Sequence, residues 1–297
     1  MLAFNLSIDF ELGWGELHRL ARDDRFYDRV VAGLALIPRV LAALTRNRIP
    51  STWGVVAACC AGSLEELQAN APAAFRVVEP QLAALAARRR AYGEALFCAD
   101  AVATICRADE VTLASHGFLH LLPVGVAMPV LQSDVAASVA RLRGLGRDVD
   151  SFIPPQNYFW PDEAFVGTGI RYVRHTPHVC GYAYSDPRRP AKFVRLWNDL
   201  VSPVSYADAR EPPVRLLFLR IDRGARLWER QLRMIRRLLT SGAGSLYCFS
   251  HPHNLDSAPL VHRFTQLCEA VGEAATAGTL TFCKFFRQLP TGRQAGC

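Results

Sequence analysis

Apolar and polar positions along the chain switch between a period of two and a period near 3.6, and each switch marks an element. Positions 2–8 form a short alternating run that ends in polar residues, which predicts a strand. Over 28–46, Val30, Val31, Leu34, Ile37, Leu41 and Leu44 recur at helical spacing, and Pro50 stops that helix. A buried strand is predicted at 51–58. A helix-rich stretch follows over 64–70, 80–90 and 94–107, with a break at Pro72. Next come a strand at 111–114 and an amphipathic helix at 133–145 with Ser133 as its N-cap. A strand at 151–154 leads into a helix starting near Pro161, and Tyr172-Val173 is another short strand.

Residues 175–213 are rich in Pro, Arg, Tyr and Asp and carry no clean period, so they are expected to form an irregular excursion with one strand at 193–196. Regular structure is predicted to resume as strand 214–220, helix 227–239, strand 245–249, helix 259–277, strand 280–282 and helix 284–289. Strand and helix thus alternate over the whole length, without an internal repeat or a linker-like stretch. The pattern predicts a single α/β catalytic domain over 1–290, a parallel barrel or distorted barrel, with a frayed tail at 291–297.

Composition narrows the class. Of 297 residues, 51% are hydrophobic and only 21% charged, which excludes a disordered or fibrous chain. The net charge of +7 is spread over small arginine clusters, and no nucleic-acid-binding signature accompanies it. Nucleic acid is therefore not an expected partner. The nine cysteines are odd in number, include the adjacent pair Cys59 and Cys60, and form no C-x-x-C, as expected of a reduced cytoplasmic protein. No window reaches the ~18 apolar residues of a membrane span. The first ten residues lack a basic start and a small-residue cleavage site, so neither a transmembrane segment nor a secretory signal is expected. Peripheral membrane contact stays open.

The chemistry-bearing residues fall where predicted strands end: Asp9 and Glu11, His116 and His120, Gln156 and Asn157, His251 and His253. In a parallel barrel these positions share the C-terminal rim, where active sites are built. Two histidines four apart on one face of a helical turn can both reach one metal, though packed core histidines show the same spacing. Two carboxylates two apart on a strand share a face, and a cation relieves their repulsion; two solvated carboxylates would look alike in sequence. One carboxylate with two imidazoles leaves room for water, the pattern of a catalytic zinc site. Pro252 biases His251 towards an extended backbone.

Taken in order, these segments resemble the polysaccharide deacetylases, the NodB-homology carbohydrate esterases. Leu6-Ser7-Ile8-Asp9-Phe10-Glu11 is similar to their first motif and Ala114-Ser115-His116-Gly117-Phe118-Leu119-His120 to their second. Ser51-Thr52-Trp53-Gly54-Val55-Val56 is similar to the strand after the first motif, Ser151-Phe152-Ile153-Pro154-Pro155 to the third motif, and Ser250-His251-Pro252 to the last. The motifs cover 6–255. Three departures stand out: Phe10 separates the two acids, Glu11 replaces an Asp, and Gln156 stands where the family has an Arg that orients the catalytic acid.

The resemblance implies a distorted (β/α) barrel with 7–8 parallel strands and a divalent metal, expected to be zinc, held by Glu11, His116 and His120. Asp9 would serve as general base, and sequence leaves open whether Asp9 and Glu11 exchange roles. His251 would be the general acid. Pro155, Asn157 and His253 would contact substrate, with a backbone N–H of 155–157 on the oxyanion. Tyr158, Phe159, Trp160, Tyr182 and Tyr184 are candidates for a sugar-stacking wall. The implied activity removes an N-acetyl or N-formyl group from an amino sugar, as a small molecule or linked to a nucleotide or lipid carrier, in the cytoplasm. A metal-independent hydrolase of cyclic amides and a non-catalytic glycan-binding protein are the alternatives.

Overall fold

Strand β1 (Leu2–Phe10) has almost every side chain buried, because both of its faces are covered and both of its edges are paired. This explains its nearly unbroken apolar sequence, the mark of a central strand in a parallel sheet. In the computed structural model the described residues are 1–88, 92–174, 178–179, 182–183, 205–206, 214–219, 221–222, 224–284 and 286–290. The further strands are β2 (Ser51–Val55), β3 (Val111–Ser115), β4 (Ser151–Phe152), β5 (Tyr172–Arg174), β6 (His178–Val179), β7 (Tyr182–Ala183), β8 (Ser205–Tyr206), β9 (Val214–Phe218), β10 (Ser245–Ser250), β11 (Leu280–Phe282) and β12 (Phe286–Gln288). The helices are α1 (Leu17–Leu20), α2 (Asp24–Ala35), α3 (Ile37–Arg46), α4 (Leu64–Asn70), α5 (Pro72–Arg88), α6 (Gly93–Leu96), α7 (Ala99–Cys106), α8 (Met128–Arg143), α9 (Ala225–Ser241) and α10 (Ala258–Thr276).

The main sheet runs in the order β12-β5-β4-β3-β2-β1-β10-β9-β8, and β11 also pairs with β1. All pairings from β5 across to β9 are parallel, as is β1 with β11. The flanking strands β12 and β8 pair antiparallel. This is the expected distorted (β/α) barrel, with its parallel strands closed off by an antiparallel strand at each edge. Strands β2 and β11 share one edge of β1: β2 takes Ser7 to Phe10, and β11 takes Leu2 to Phe4.

Local chemistry explains most boundaries. The Asp23 side chain accepts from the Phe26 amide to start α2, and Ser63 does the same from Glu66 to start α4. Helix α9 buries Trp228, Leu232, Ile235 and Leu239 and ends on Gly242 at φ +62°, a left-handed C-terminal residue. Each fully buried Leu or Phe in the core contributes about 1.5–3 kcal/mol.

The structure corrects several expectations. The predicted helix 28–46 is two helices, separated at Leu36 just before Pro38, which lacks the donor needed to continue α2. The predicted helix 94–107 is likewise interrupted at Phe97 and Cys98. Pro80 lies inside α5 instead of starting it, and Ser133 lies inside α8, which begins at Met128 behind Pro129. Near Pro161 only a 3-10 turn forms, Asp162–Phe165. The segment predicted as helix 284–289 is strand β12, paired with the edge of β5 and tied by Arg287 to both Asp162 oxygens at 3.0 and 2.6 Å. Backbone pairing with an open edge outweighs the propensity of so short a segment. The strand expected at 193–196 and the tail at 291–297 lie outside the described residues.

Candidate metal and hydrolytic centre

Strand β1 carries Asp9 almost to its end. The chain then leaves extended geometry at Glu11 (φ −109°, ψ −20°) and turns into a 3-10 segment, Leu12–Glu16. Both carboxylates therefore stay at the rim, 2% and 7% exposed. Glu11 faces the two histidines that follow β3. Its Oε2 lies 3.4 Å from His116 Nε2 and 2.9 Å from His120 Nε2, and one ligand atom from each of the three residues falls within 4.8 Å of the others.

The two imidazoles do not meet on a helical turn, as their spacing suggested. They converge through a loop in which Gly117 (φ +79°) and His120 (φ +56°) both adopt left-handed backbone, bringing the ring centroids to 4.9 Å. A glycine takes this conformation freely, whereas a histidine there is strained, so its surroundings must hold it. The brace is Asp134 on α8, a fully buried carboxylate not anticipated from the sequence. Its two oxygens accept the Phe118 and Leu119 amides at 2.9 Å each. Ser138, one turn further along α8, bonds Ser115 at 2.8 Å. Burial pushes the Asp134 carboxyl up to about 6. The only sequence signal was an acid buried in the apolar stripe of a helix.

The donor chemistry fits a divalent cation. His116 Nδ1 donates to the Ile153 carbonyl at 2.6 Å, which leaves the Nε2 lone pair directed at Glu11. His120 Nε2 is buried and lacks a hydrogen bond: the Glu11 oxygen 2.9 Å away is off the required line. An orphaned imidazole nitrogen facing a carboxylate suits a shared ion. Burial pushes the Glu11 carboxyl up, but the neighbouring His251 and His120 more than offset this and hold it well below the usual range. Burial shifts His120 down.

Asp9 faces a different partner. Arg174, the last residue of β5, forks onto it with Nη1 to Oδ1 at 2.7 Å and Nη2 to Oδ2 at 2.9 Å, and also donates to the Asn157 Oδ1 at 2.8 Å. Both members of the pair are 2% exposed. Burial works against charging Asp9, but the guanidinium more than offsets it and holds the carboxyl below its ordinary value. Arg174 was not anticipated. It stands at the end of a predicted strand on the same rim, well away in sequence from the place beside Pro155 where Gln156 stands. With Asp9 committed to Arg174, Glu11 is the carboxylate that faces the two histidines.

His251 lies across from the triad, its Nε2 3.5 Å from Glu11 Oε1, and its ring stacks on His253 at 5.1 Å and 15°. The 3-10 turn Pro252–Asn254 is clamped by Arg29 of α2, which reaches the His253 carbonyl at 2.8 Å and Asp256 at 2.6 Å. His253 is buried edge-on against Phe26 and stacked on His251, and it also lines the cavity. Pro155 is buried under the rim. Within 155–157 the Asn157 amide is spent on the Pro154 carbonyl and Pro155 has none, which narrows the expected oxyanion donor to the Gln156 amide. Asn157 lines the cavity but accepts from Arg174. Of the suggested aromatic wall, Tyr158 lines the cavity, Trp160 is core against Phe152, and Phe159 is exposed. The side chains of Tyr182 and Tyr184 lie outside the description.

These groups open onto a cavity of about 540 Å³ that includes Asp9, Glu11, Asn157, His251 and Arg29. Two consequences can be measured. A Cβ on Gly15 would sit 2.3 Å from the Glu11 carboxyl carbon. Gly15→Ala should leave unfolding nearly unchanged, because the Glu11 head can swing aside, yet lower zinc affinity by about 10–100-fold in a competition titration. Burial, then the charge of His251, push His253 down to about 3. The unfolded chain therefore binds the extra proton, and the stability contributed by neutral His253 is complete above about pH 6.5 and lost as pH falls towards 3. Urea titrations should show a slope near 1.4 kcal/mol per pH unit in that window, which flattens in His253→Phe.

No protein-family model matches the sequence, and no curated protein does. Among solved structures, a Mycobacterium smegmatis protein assigned as a polysaccharide deacetylase is 16% identical, with 96% of this chain and 94% of that one covered and a TM-score of 0.48. A family 4 carbohydrate esterase from Streptomyces lividans, solved with acetate, is 10% identical over 94% of this chain and 91% of its own, TM-score 0.43. A family 4 pseudoenzyme from Bacillus anthracis is 13% identical over 94% of this chain and 63% of its own, TM-score 0.44. Along almost its whole length, the chain is thus similar to solved carbohydrate esterases of family 4 at low identity.

Proposed function

We propose that the protein is a metal-dependent amide hydrolase that removes an N-acetyl or N-formyl group from an amino sugar, in the cytoplasm, on a free or carrier-linked glycan precursor. The observation that carries this reading is that Asp9, Glu11 and His251 line one cavity, with His116 and His120 closing on Glu11 and Arg174 forked onto Asp9. Zinc is the ion the donor set favours, because imidazole and carboxylate ligands in a three-residue set leave positions for water and substrate. Bound there, such an ion supplies Lewis acidity to the carbonyl and acidifies the attacking water.

The chain's own residues do the rest. Asp9, oriented by the Arg174 fork, takes the proton of the attacking water; its lowered pKa makes it a weak base, adequate for an acidified water. The water oxygen bonds to the acyl carbon and the C–N bond breaks. His251 passes a proton from Nε2 to the departing nitrogen, giving a carboxylate and an amine. Asn254 lies 3.4 Å from His251 Nδ1 and Pro252 fixes the backbone, so the acid is held in one orientation.

The deciding experiment measures acetate and formate release from free, nucleotide-linked, lipid-linked and polymeric amino sugars, with metal quantified in the same preparation. Release that stops with chelator and returns with zinc supports the proposal. Undiminished release from metal-free protein would move the reading to the metal-independent hydrolase.

A further inference from the structure

The turn that follows His251 is docked on one face of α2. Phe26, Arg29 and Gly33 recur there at helical spacing, and each meets the segment Pro252–Asn254. Phe26 lies edge-on to the His253 ring at 5.3 Å. Arg29 spreads its guanidinium over four acceptors: Asp256 at 2.6 Å, the His253 carbonyl at 2.8 Å, Asp222 at 3.2 Å and Asn254 Oδ1 at 3.4 Å. It thereby ties the turn after β10 to Asp222, beyond the end of β9. At Gly33 the two backbones come close together. A Cβ there would lie 2.5 Å from the Pro252 oxygen, 2.8 Å from its carbonyl carbon and 3.1 Å from the His253 Cα. A glycine inside a helix weakens it, and this close approach is what α2 gains in return.

His251 stands immediately before the docked turn, its Nε2 3.5 Å from Glu11 Oε1. The turn is stiff. Proline fixes one torsion, the Pro252 carbonyl accepts the Leu255 amide at 2.8 Å, and the His251 carbonyl accepts the Asn254 amide at 3.0 Å. A push on the Pro252 oxygen is therefore passed on to the imidazole. The helix has little room to retreat, because Phe26 and Val30 are fully buried on it. We propose that this face of α2 is the seat that aims His251, with Gly33 and Arg29 as positioning residues for delivery of its proton to the departing nitrogen. The inference rests on His251 as the proton donor of the reading above and adds the element that holds it on line. Alignment of this kind is exacting: a misplacement of about 1 Å costs about 100-fold in rate.

The test uses the full chain loaded with zinc and two probes. N-acetylglucosamine has an amine that leaves only with a proton, whereas 4-nitrophenyl acetate has a phenolate that leaves without one. A carbon needs about 3.3 Å from a carbonyl oxygen, so Gly33→Ala must displace the Pro252 oxygen by roughly 0.8 Å. That variant should keep its zinc and lose about 30–100-fold in kcat on the amide, with KM within about twofold and ester hydrolysis within about threefold of the parent. Arg29→Met loosens the turn without a clash and should lower the amide-to-ester ratio at least about tenfold; Arg29→Lys, which keeps the charge but not the fork, should recover part of it. Undiminished amide turnover in Gly33→Ala, or equal losses on amide and ester, overturns the inference. If Gly33→Ala does not fold, the Arg29→Met ratio decides, and an unchanged ratio overturns it. Should the parent leave N-acetylglucosamine uncut, that failure belongs to the hydrolytic reading, and crystal structures of parent and Gly33→Ala judge the seat alone. His251 Nε2 should then move by at least about 0.5 Å with Glu11, His116 and His120 in place; an unmoved His251 overturns the inference.

Discussion

Arg174→Met is expected to destabilise the protein by about 3–5 kcal/mol, the largest stability effect of any single change at the site. Arg174 and Asp9 are each 2% exposed and joined by two short bonds, so removing the guanidinium strands a carboxylate away from water. It also frees the Asn157 oxygen and the Ser7 hydroxyl, 3.3 Å from Nη1. Asp9→Asn/Arg174→Met should recover much of that loss, because with both charges gone no ion is left uncompensated. Urea midpoints of the two single variants and the double variant give the coupling energy directly. If Arg174→Met unfolds at the same urea concentration as the parent, the pair does not have the role assigned to it.

The second large effect separates proton transfer from metal binding. Asp9→Asn should keep one zinc per chain and lose about 10²–10⁴-fold in kcat, the range expected when a positioned base is removed. His116→Ala should lose both zinc and turnover, since it deletes one of the three proposed ligands, whose tautomer the Ile153 carbonyl fixes. Metal content by mass spectrometry alongside acetate release distinguishes the two. Normal turnover in Asp9→Asn, or loss of zinc in that variant, would reverse the roles given to Asp9 and Glu11.

What the sequence disclosed and what it hid follow from how each feature is encoded. Strand ends were legible because a run of apolar residues breaks off at a polar one, and this alone put Asp9, Glu11, His116, His120 and His251 on one rim. Arg174 and Asp134 were not. Each acts through a partner more than a dozen residues away in sequence, and neither pairing leaves a periodic trace. The histidine spacing implied two neighbouring rings, and they do meet, but by another route: a helical turn was expected, whereas a left-handed loop braced from α8 brings them together. The strand nature of 286–288 was invisible because it depends on the free edge of β5 and on no preference of its own.

The position of β1 has a consequence for how the chain matures. Strand β1 becomes the centre of the sheet, yet its partners β10 and β11 come from residues 245–250 and 280–282, far along the sequence. Until those later segments have been made, this greasy ribbon has an unclaimed edge, and closing it requires pairing of very high sequence separation. Folding should therefore be slow and late, with nascent chains prone to self-association and dependent on chaperone shelter.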